Sequence, residues 1–286
     1  MPYHKNKESK VIFSGQNSHG SSESWLYRCN YLSQIPKDQR VAIVIECPTL
    51  DLIIYLLRRM NDKVNINYSF LSSSTYWWMR TIEFSNFLRS IPNSFAIYGI
   101  DVALDILQYN KHINHLKLFD FPEKEVLLSL MEYDLHSGKK MSRISTMTRE
   151  LLMKDKLSLV MKNKYDLIFV ICHNFHASKK SWLHYPSLCQ LFNDEFSNSC
   201  DSNSVAILSN KMYFIATNNN HTLSINKVDN ICKKIDNNNF LVKMISSIYR
   251  SEEEDVLNIV INIPKHFDEI IIFPEGDTIT LMESLL

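Results

Sequence analysis

The chain has 286 residues, of which 45% are hydrophobic, enough to bury the core of one large domain or of two. Its 31 basic residues equal its 31 acidic residues, and the resulting net charge of zero argues against a nucleic acid or an anionic membrane as the partner. Its five glycines form no phosphate-binding loop, and no apolar run is long enough to span a bilayer.

The N-terminus and the cysteines point to a cytoplasmic protein. The first ten residues are polar and charged, so we expect no signal peptide. The six cysteines form no Cys-x-x-Cys pair, and Cys47, Cys172 and Cys232 lie in apolar or amphipathic runs. We therefore expect buried, reduced thiols and a cytoplasmic location.

Short apolar runs alternate with helical patterns along the chain, which is typical of an α/β fold. The apolar runs predict strands over Val11–Ser14, Val41–Glu46, Phe95–Ile100, Leu167–Cys172 and Ile270–Phe273. The helical patterns predict helices over Glu23–Gln34, Leu50–Arg59, Trp78–Ser90, Glu123–Ser137, Ser145–Met161 and Asn239–Tyr249. We also expect an antiparallel set over Val205–Leu208, Met212–Ala216 and His221–Ile225, and a loop over Asn193–Ser204.

Ionisable side chains recur at the ends of successive predicted strands. His19 follows the first strand, Glu46 ends the second, and Asp101 follows the third. Taken singly, a loop histidine is usually a surface residue and a carboxylate at a strand end usually caps the next helix. Because the carboxyl ends of parallel strands meet at one edge of a sheet, the repetition favours a site there.

A fourth predicted strand ends in two histidines, His173 and His176. Together with His19 and Glu46 they could bind zinc, or they could act without metal, one as a general base and the other as a donor to developing oxyanion charge. The structural alternative is that one of them only hydrogen-bonds the backbone at the strand end.

Several short motifs, in this order, resemble those of the erythromycin esterase family. The resemblance runs from Val11 to about Thr278. The matching segments are Gly15-Gln16-Asn17-Ser18-His19-Gly20, Arg28 in the next helix, Val44-Ile45-Glu46, Tyr98-Gly99-Ile100-Asp101, Arg149-Glu150-Leu151-Leu152-Met153, Cys172-His173-Asn174-Phe175-His176 and Phe267–Phe273. The resemblance implies one domain over residues 1–286, with an α/β fold in which helices flank a mainly parallel central sheet.

Two departures from the family pattern stand out. Gln16 replaces the glutamate of the first motif, and an amide can neither carry charge nor take up a proton. The family's helical cap is also shorter here, since it is confined to about residues 102–148. A bulky macrolide is therefore not the expected substrate.

The predicted function is metal-independent hydrolysis of an ester or related acyl bond in a small molecule or a peptide-like natural product. His19 is the expected base that activates water, Glu46 the residue that orients it, and His173 a third catalytic residue. Substrate binding is expected from Gln16, Arg28, Asp101 and His176. No cofactor is expected, and no Gly-x-Ser-x-Gly motif provides a nucleophilic serine. The alternatives are a tailoring enzyme of natural-product biosynthesis that uses the same site, and a non-catalytic binding protein.

Overall fold

A six-stranded, all-parallel sheet forms the centre of the molecule, which confirms the predicted α/β class. The computed structural model describes residues 9–17, 21–49, 52, 77–102, 113–114, 117, 123–137, 144–181, 184–209, 211–217, 223–229, 232–245 and 256–273. The strands of the sheet are β1 (Lys10–Gln16), β2 (Val41–Pro48), β3 (Ala96–Asp101), β4 (Leu167–His173), β5 (Asp201–Ser209) and β11 (Glu269–Phe273). The five strands that the sequence predicted from single apolar runs all belong to this sheet.

The order of the strands, β11-β5-β1-β4-β2-β3, places the first strand in the interior of the sheet. Gln16, the last residue of β1, is paired with His173 of β4 on one side and with Ile207 of β5 on the other. Strands β1, β4, β2 and β3 are neighbours, so their carboxyl ends meet at one edge. In open α/β sheets this edge is where ligands bind.

Helices cover the sheet from both sides. They are α1 (Ser22–Ser33), α2 (Ile82–Ser90), α3 (Lys124–Ser137), α4 (Thr146–Met161), α5 (Asn174–Ala177), α6 (Leu188–Phe196) and α7 (Ile263–His266), with a short 3-10 helix over Trp77–Arg80. Helix α4 begins after Ser145, whose side chain accepts the backbone N–H of Thr148. Of the predicted helix over Leu50–Arg59, only Leu52 is among the described residues.

The core consists of two apolar layers, one on each face of the sheet. Side chains alternate between the layers along a strand, so Val11 and Phe13 of β1 pack with α4 and α6, whereas Ile12 packs with the layer that contains Trp25 of α1. Strands buried on both faces read as continuous apolar runs, which is why the sequence predicts them.

The C-terminal part of the chain differs from the expectation at three places. The residues 205–208 belong to β5 of the parallel sheet, so their predicted antiparallel pairing was wrong, although β6 (Lys211–Thr217) and β7 (Leu223–Asp229) do pair antiparallel. The helix predicted over 239–249 was also wrong in its described part, 239–245, because β9 (Asn239–Ile245) pairs with β8 (Cys232–Lys234) and β10 (Val256–Asn262). The residues 246–249 lie outside the described part of the chain. The predicted loop at 193–204 is largely the end of α6 and the start of β5.

Among the described helices, none combines the length and the apolar character that a bilayer crossing requires. The five cysteines whose side chains are described, Cys29, Cys47, Cys172, Cys189 and Cys200, are free thiols. Four of these five are buried, in keeping with the predicted reduced state.

Candidate active site

Two glycines allow the elements of the site to approach closely. A Cβ on Gly15 of β1 would lie 2.2 Å from Asn174 Oδ1 and 2.9 Å from Ala177 Cβ, so only glycine lets the short helix α5 pack on the strand. A Cβ on Gly99 of β3 would lie 2.6 Å from the carbonyl oxygen of Cys47. The register of β2 against β3 shifts between Ile45 and Pro48, and such irregularities re-aim the side chains of a strand.

Glu46 lies within this irregular stretch of β2 and is the centre of the site. Its Oε2 accepts the backbone N–H of His173 at 2.7 Å. Its Oε1 accepts from Arg149 Nη2 at 2.7 Å and lies 3.1 Å from His176 Nε2. The carboxylate is 6% exposed and therefore links β2, β4 and α4 in a buried setting.

Arg149 of α4 forms a bidentate ion pair with Asp101. Nε and Nη2 of the guanidinium donate to Oδ1 and Oδ2 of Asp101 at 2.9 and 2.7 Å. Burial works against the charge on Asp101, but the adjacent guanidinium outweighs it and lowers the pKa of the carboxyl. Asp101 is fully buried, whereas 18% of the Arg149 side chain is exposed, so the cation is the accessible member of the pair.

A second buried ion pair supports Asp101 from below. Lys156 lies on α4, like Arg149. Its ammonium group donates to the main-chain oxygen of Asp101 at 2.8 Å and to Asp134 Oδ2 at 2.9 Å. Lys156 is fully buried and Asp134 nearly so. The pair fixes the carboxyl end of β3 against α3 and α4.

His176 stands between two carboxylates. Its Nε2 faces Glu46 and its Nδ1 lies 2.6 Å from Oε1 of Glu150, a residue that is 2% exposed. The Glu150 oxygen lies off the ideal line of the N–H, so the contact is an ion pair more than a well-directed hydrogen bond. Burial disfavours the imidazolium, but Glu150 and Glu46 outweigh it and raise the pKa of His176 to about 10.

His173 has a different environment from His176. Its Nε2 lies 2.9 Å from the carbonyl oxygen of Asn17, to which it donates, and its Nδ1 accepts the backbone N–H of Phe175 at 3.3 Å. The ring stacks on Phe175 at a centroid distance of 5.0 Å. The side chain thus caps α5 and ties it to the end of β1.

Arg28 of α1 lies fully buried beside the charged cluster. Its guanidinium donates to the hydroxyl and the carbonyl oxygen of Ser14 and to Oε1 of Gln16, and it stacks over Trp25 at 4.8 Å. Among the described residues no carboxylate contacts it. Burial therefore lowers its pKa to about 9. Ser24 also donates to Gln16 Oε1, so this amide oxygen serves as the acceptor of the Arg28 pocket.

The structure brings together Glu46, Asp101, His173 and His176 at the carboxyl edge of the sheet, with Gln16 and Arg28 next to them. His19 lies in the segment 18–20, outside the described residues, so its predicted place in the site stays a prediction. Within the described part of the chain, no group of three His, Cys, Asp or Glu side chains is arranged to hold a metal ion.

Arg149 and Glu150 belong to one of the motifs that resemble the esterase family, but they are not among the predicted site residues. A signal was present in the sequence, since Glu150, Met153, Leu157 and Val160 fall at helical spacing and all four are buried. A charged residue in line with the buried stripe of a helix is a candidate for a buried ion pair.

Comparison with known proteins shows the fold. No family model and no curated protein matches the sequence. A Bacillus cereus protein is similar in structure, with 13% identity and a TM-score of 0.66, covering 97% of this chain and 91% of that one. A succinoglycan biosynthesis protein is also similar, with 12% identity and a TM-score of 0.67 over 96% of this chain and 90% of that one. A third similar structure is a histidine-to-asparagine variant of the erythromycin esterase EreC in its open conformation. It has 14% identity and a TM-score of 0.58 over 94% of this chain and 91% of that one. Over nearly its whole length, this chain therefore has the fold of an erythromycin esterase.

Proposed function

We propose that this protein is a hydrolase that cleaves an ester or related acyl bond of a small molecule or natural product, with water as the nucleophile. The observation that carries the proposal is the convergence of Glu46, Asp101, Arg149, His173 and His176 at the carboxyl edge of the sheet. The fold shared with the erythromycin esterase EreC supports the same reaction class.

In the proposed reaction His19 takes a proton from water as the water oxygen attacks the acyl carbon. His19 is the base because it is the remaining histidine of the predicted motifs, and it is two residues along the chain from Asn17. His173 and His176 have both ring nitrogens engaged by protein groups. The proton then passes to the leaving oxygen as the C–O bond breaks.

Arg149 is the group that we assign to the developing negative charge. It is the partly exposed cation of the cluster, and its orientation is fixed by Asp101 and Glu46 before any ligand binds. Preorganised donors of this kind stabilise an oxyanion without reorganising during the reaction. Glu46 holds both Arg149 and the backbone of His173, so it positions the site as a whole.

A panel of small-molecule esters tests the proposal. Wild-type protein should hydrolyse at least one of them, His19→Ala should abolish the activity, and Glu46→Gln should lower it by about a hundredfold or more. Arg40→Gln is the matched control, because this arginine lies on the surface and its guanidinium binds the carbonyl oxygen of Asn163. Hydrolysis that survives in His19→Ala would exclude the proposed base.

A second candidate is a tailoring reaction at the same site, in the biosynthesis of a peptide or polyketide product. The observation that favours it is Gln16, whose neutral amide accepts from Arg28 where the related motif has a carboxylate. In that case the ester panel shows no turnover, whereas a peptide or polyketide intermediate is consumed in a His19-dependent way. A binding protein would consume neither.

A further inference from the structure

His173, at the end of β4, and His176, in α5, differ in the hydrogen-bonding character of the groups around their rings. Both ring nitrogens of His176 lie close to carboxylate oxygens, Nε2 at 3.1 Å from Glu46 and Nδ1 at 2.6 Å from Glu150. The ring nitrogens of His173 point at one acceptor, the carbonyl of Asn17, and at one donor, the backbone N–H of Phe175. Because carboxylates and carbonyls only accept and a backbone N–H only donates, these partners fix the protons on both rings.

A neutral His176 does not fit its surroundings. A neutral ring carries one lone pair, which would face Oε1 of Glu150 at 2.6 Å if it lay on Nδ1. On Nε2 it would face Oε1 of Glu46 at 3.1 Å, which is nearer than the one competing donor, Arg149 Nη1 at 3.4 Å. Two acceptors at such distances repel each other, and this repulsion is large where water is excluded. His176 and Glu46 are each 6% exposed and Glu150 is 2% exposed, so water cannot relieve it.

From this geometry we propose that His176 is a permanent imidazolium that holds Glu46 and Glu150 in place and transfers no proton, while His173 is locked as the neutral ring with its proton on Nε2. His176 would then be a positioning residue for Glu46. That role in the reaction rests on the proposed hydrolysis, whereas the two protonation states do not.

The charges around His176 are consistent with this assignment. Glu46 reaches it from β2, and Glu150 and Arg149 reach it from α4, with Arg149 Nη1 3.4 Å from Nε2. Arg149 and His176 both contact Oε1 of Glu46, at 2.7 and 3.1 Å, and these distances are shorter than the one between the two side chains. The pKa of about 10 for His176 reflects two carboxylates, Glu150 and Glu46, whose effect outweighs that of burial.

Nuclear magnetic resonance of protein labelled with 15N in its histidines tests the proposal without any substrate. His176→Gln and His173→Gln identify the two signals. We expect His176 to stay doubly protonated up to pH 8, more than one unit above the value of about 6.5 for a free side chain. We expect His173 to show one protonated and one bare nitrogen over the same range. A bare nitrogen on His176 at pH 7 would overturn the proposal, as would a doubly protonated His173.

Glu150→Gln provides the second measurement, since it keeps the shape of the side chain and removes one carboxylate. The midpoint of His176 deprotonation should fall by about one pH unit or more, because a partner charge within contact distance shifts a pKa by that much. An unchanged midpoint would contradict the proposal. If the variant does not fold, the titration of the wild-type protein still decides.

The pH profile of hydrolysis tests the positioning role. His176→Gln should lower kcat while leaving the ionisations in the kcat/KM profile where they are, since a residue that keeps its proton contributes none. Loss of one ionisation in His176→Gln would show that His176 transfers a proton, contrary to the proposal. If no ester is turned over at all, the proposed function fails, but the magnetic resonance result still stands.

Discussion

Two arginines lie at the same edge of the central sheet, and one is paired with carboxylates whereas the other is surrounded by neutral groups. Arg149 contacts two carboxylates, Asp101 and Glu46, within a group of five charges that also includes Glu150 and His176. We call this group the Arg149 region. Arg28 contacts only neutral groups among the described residues, namely Ser14, Gln16 and the ring of Trp25, and these residues form the Arg28 region.

The difference shows what each region can do. In the Arg149 region each charge contacts an opposite charge, so removal of one member takes an ion-pair partner from buried neighbours. In the Arg28 region the cation depends on oriented dipoles, and burial lowers its pKa to about 9. Position 16 decides this contrast, because it is where an amide stands in place of the carboxylate of the related motif.

Loss of Arg149 should have the largest effect. Arg149→Met leaves Asp101 and Glu46 without their shared cation, and breaking a buried pair in this way costs about 3–5 kcal/mol. Chemical denaturation should show a loss near the upper end, because two carboxylates are affected. Arg40→Met is the control, since this arginine is exposed, and it should change the stability by about 0.5 kcal/mol. Equal effects in the two variants would remove the distinction between the regions.

Loss of Lys156 should be the next largest effect. Lys156→Met removes the cation that pairs with the buried Asp134 and that donates to the main-chain oxygen of Asp101, at a cost of about 3 kcal/mol. The double variant Lys156→Met with Asp134→Leu should recover part of this loss, because replacing both members of a buried pair is often nearly neutral. Double-variant stability that is no better than that of Lys156→Met would contradict the ion-pair explanation.

The central sheet could be predicted from the sequence, and the charge pairs beneath it could not. Strands such as 41–48, in which Glu46 is the single charged residue, are otherwise apolar and read directly as buried strands. By residue type alone, Lys156 and Glu150 are expected on the exposed face of a helix. They are buried because both lie beside the apolar stripe of α4. Their partners lie far away in the chain, and the sequence gives no measure of such contacts.

The mistaken helix at 239–249 has a similar cause. Phe240, Leu241, Met244, Ile245 and Ile248 recur at helical spacing, so the local pattern favours a helix. Pairing of β9 with β8 and β10 decides the outcome instead, and strand preference depends strongly on such neighbours. In the site itself, Glu46 and Asp101 could be found because each ends a recognisable strand.

The pH dependence of stability distinguishes the two regions by sign. The raised pKa of His176, about 10, stabilises the fold in full below about pH 6.5, and this contribution is lost progressively as the pH rises to about 10. The lowered pKa of Arg28, about 9, reflects a cost of burying the guanidinium that stays constant below pH 9, because the group keeps its proton there. Between pH 7 and 8.5 only the first effect operates.

We therefore expect the free energy of unfolding to fall between pH 7 and 8.5, by at most about 1.4 kcal/mol per pH unit for one proton. Denaturation at fixed ionic strength across this range measures the slope. His176→Gln should be less stable at pH 7 and should show no such slope. A wild-type slope that persists in this variant assigns the proton to another group.

The smallest expected effect is that of Gln16→Glu, which would make the Arg28 region resemble the Arg149 region. The new carboxylate would contact Nη1 of Arg28 and the hydroxyl of Ser24, in place of the amide oxygen. Attraction to the cation and desolvation of the carboxylate oppose each other, so stability at pH 7 should change by no more than about 1 kcal/mol. Gln16→Leu is the matched comparison, and it should cost about 1–3 kcal/mol because the guanidinium loses its acceptor.

The same variant separates two roles for position 16. If the new charge pairs with Arg28, the pKa of Arg28 rises, because an adjacent carboxylate stabilises the guanidinium. Ester hydrolysis should then change by less than about tenfold, because Arg28 neutralises the charge before it can act on the base. A change of about a hundredfold, typical of a group that assists general-base catalysis, would instead show that position 16 acts directly on His19.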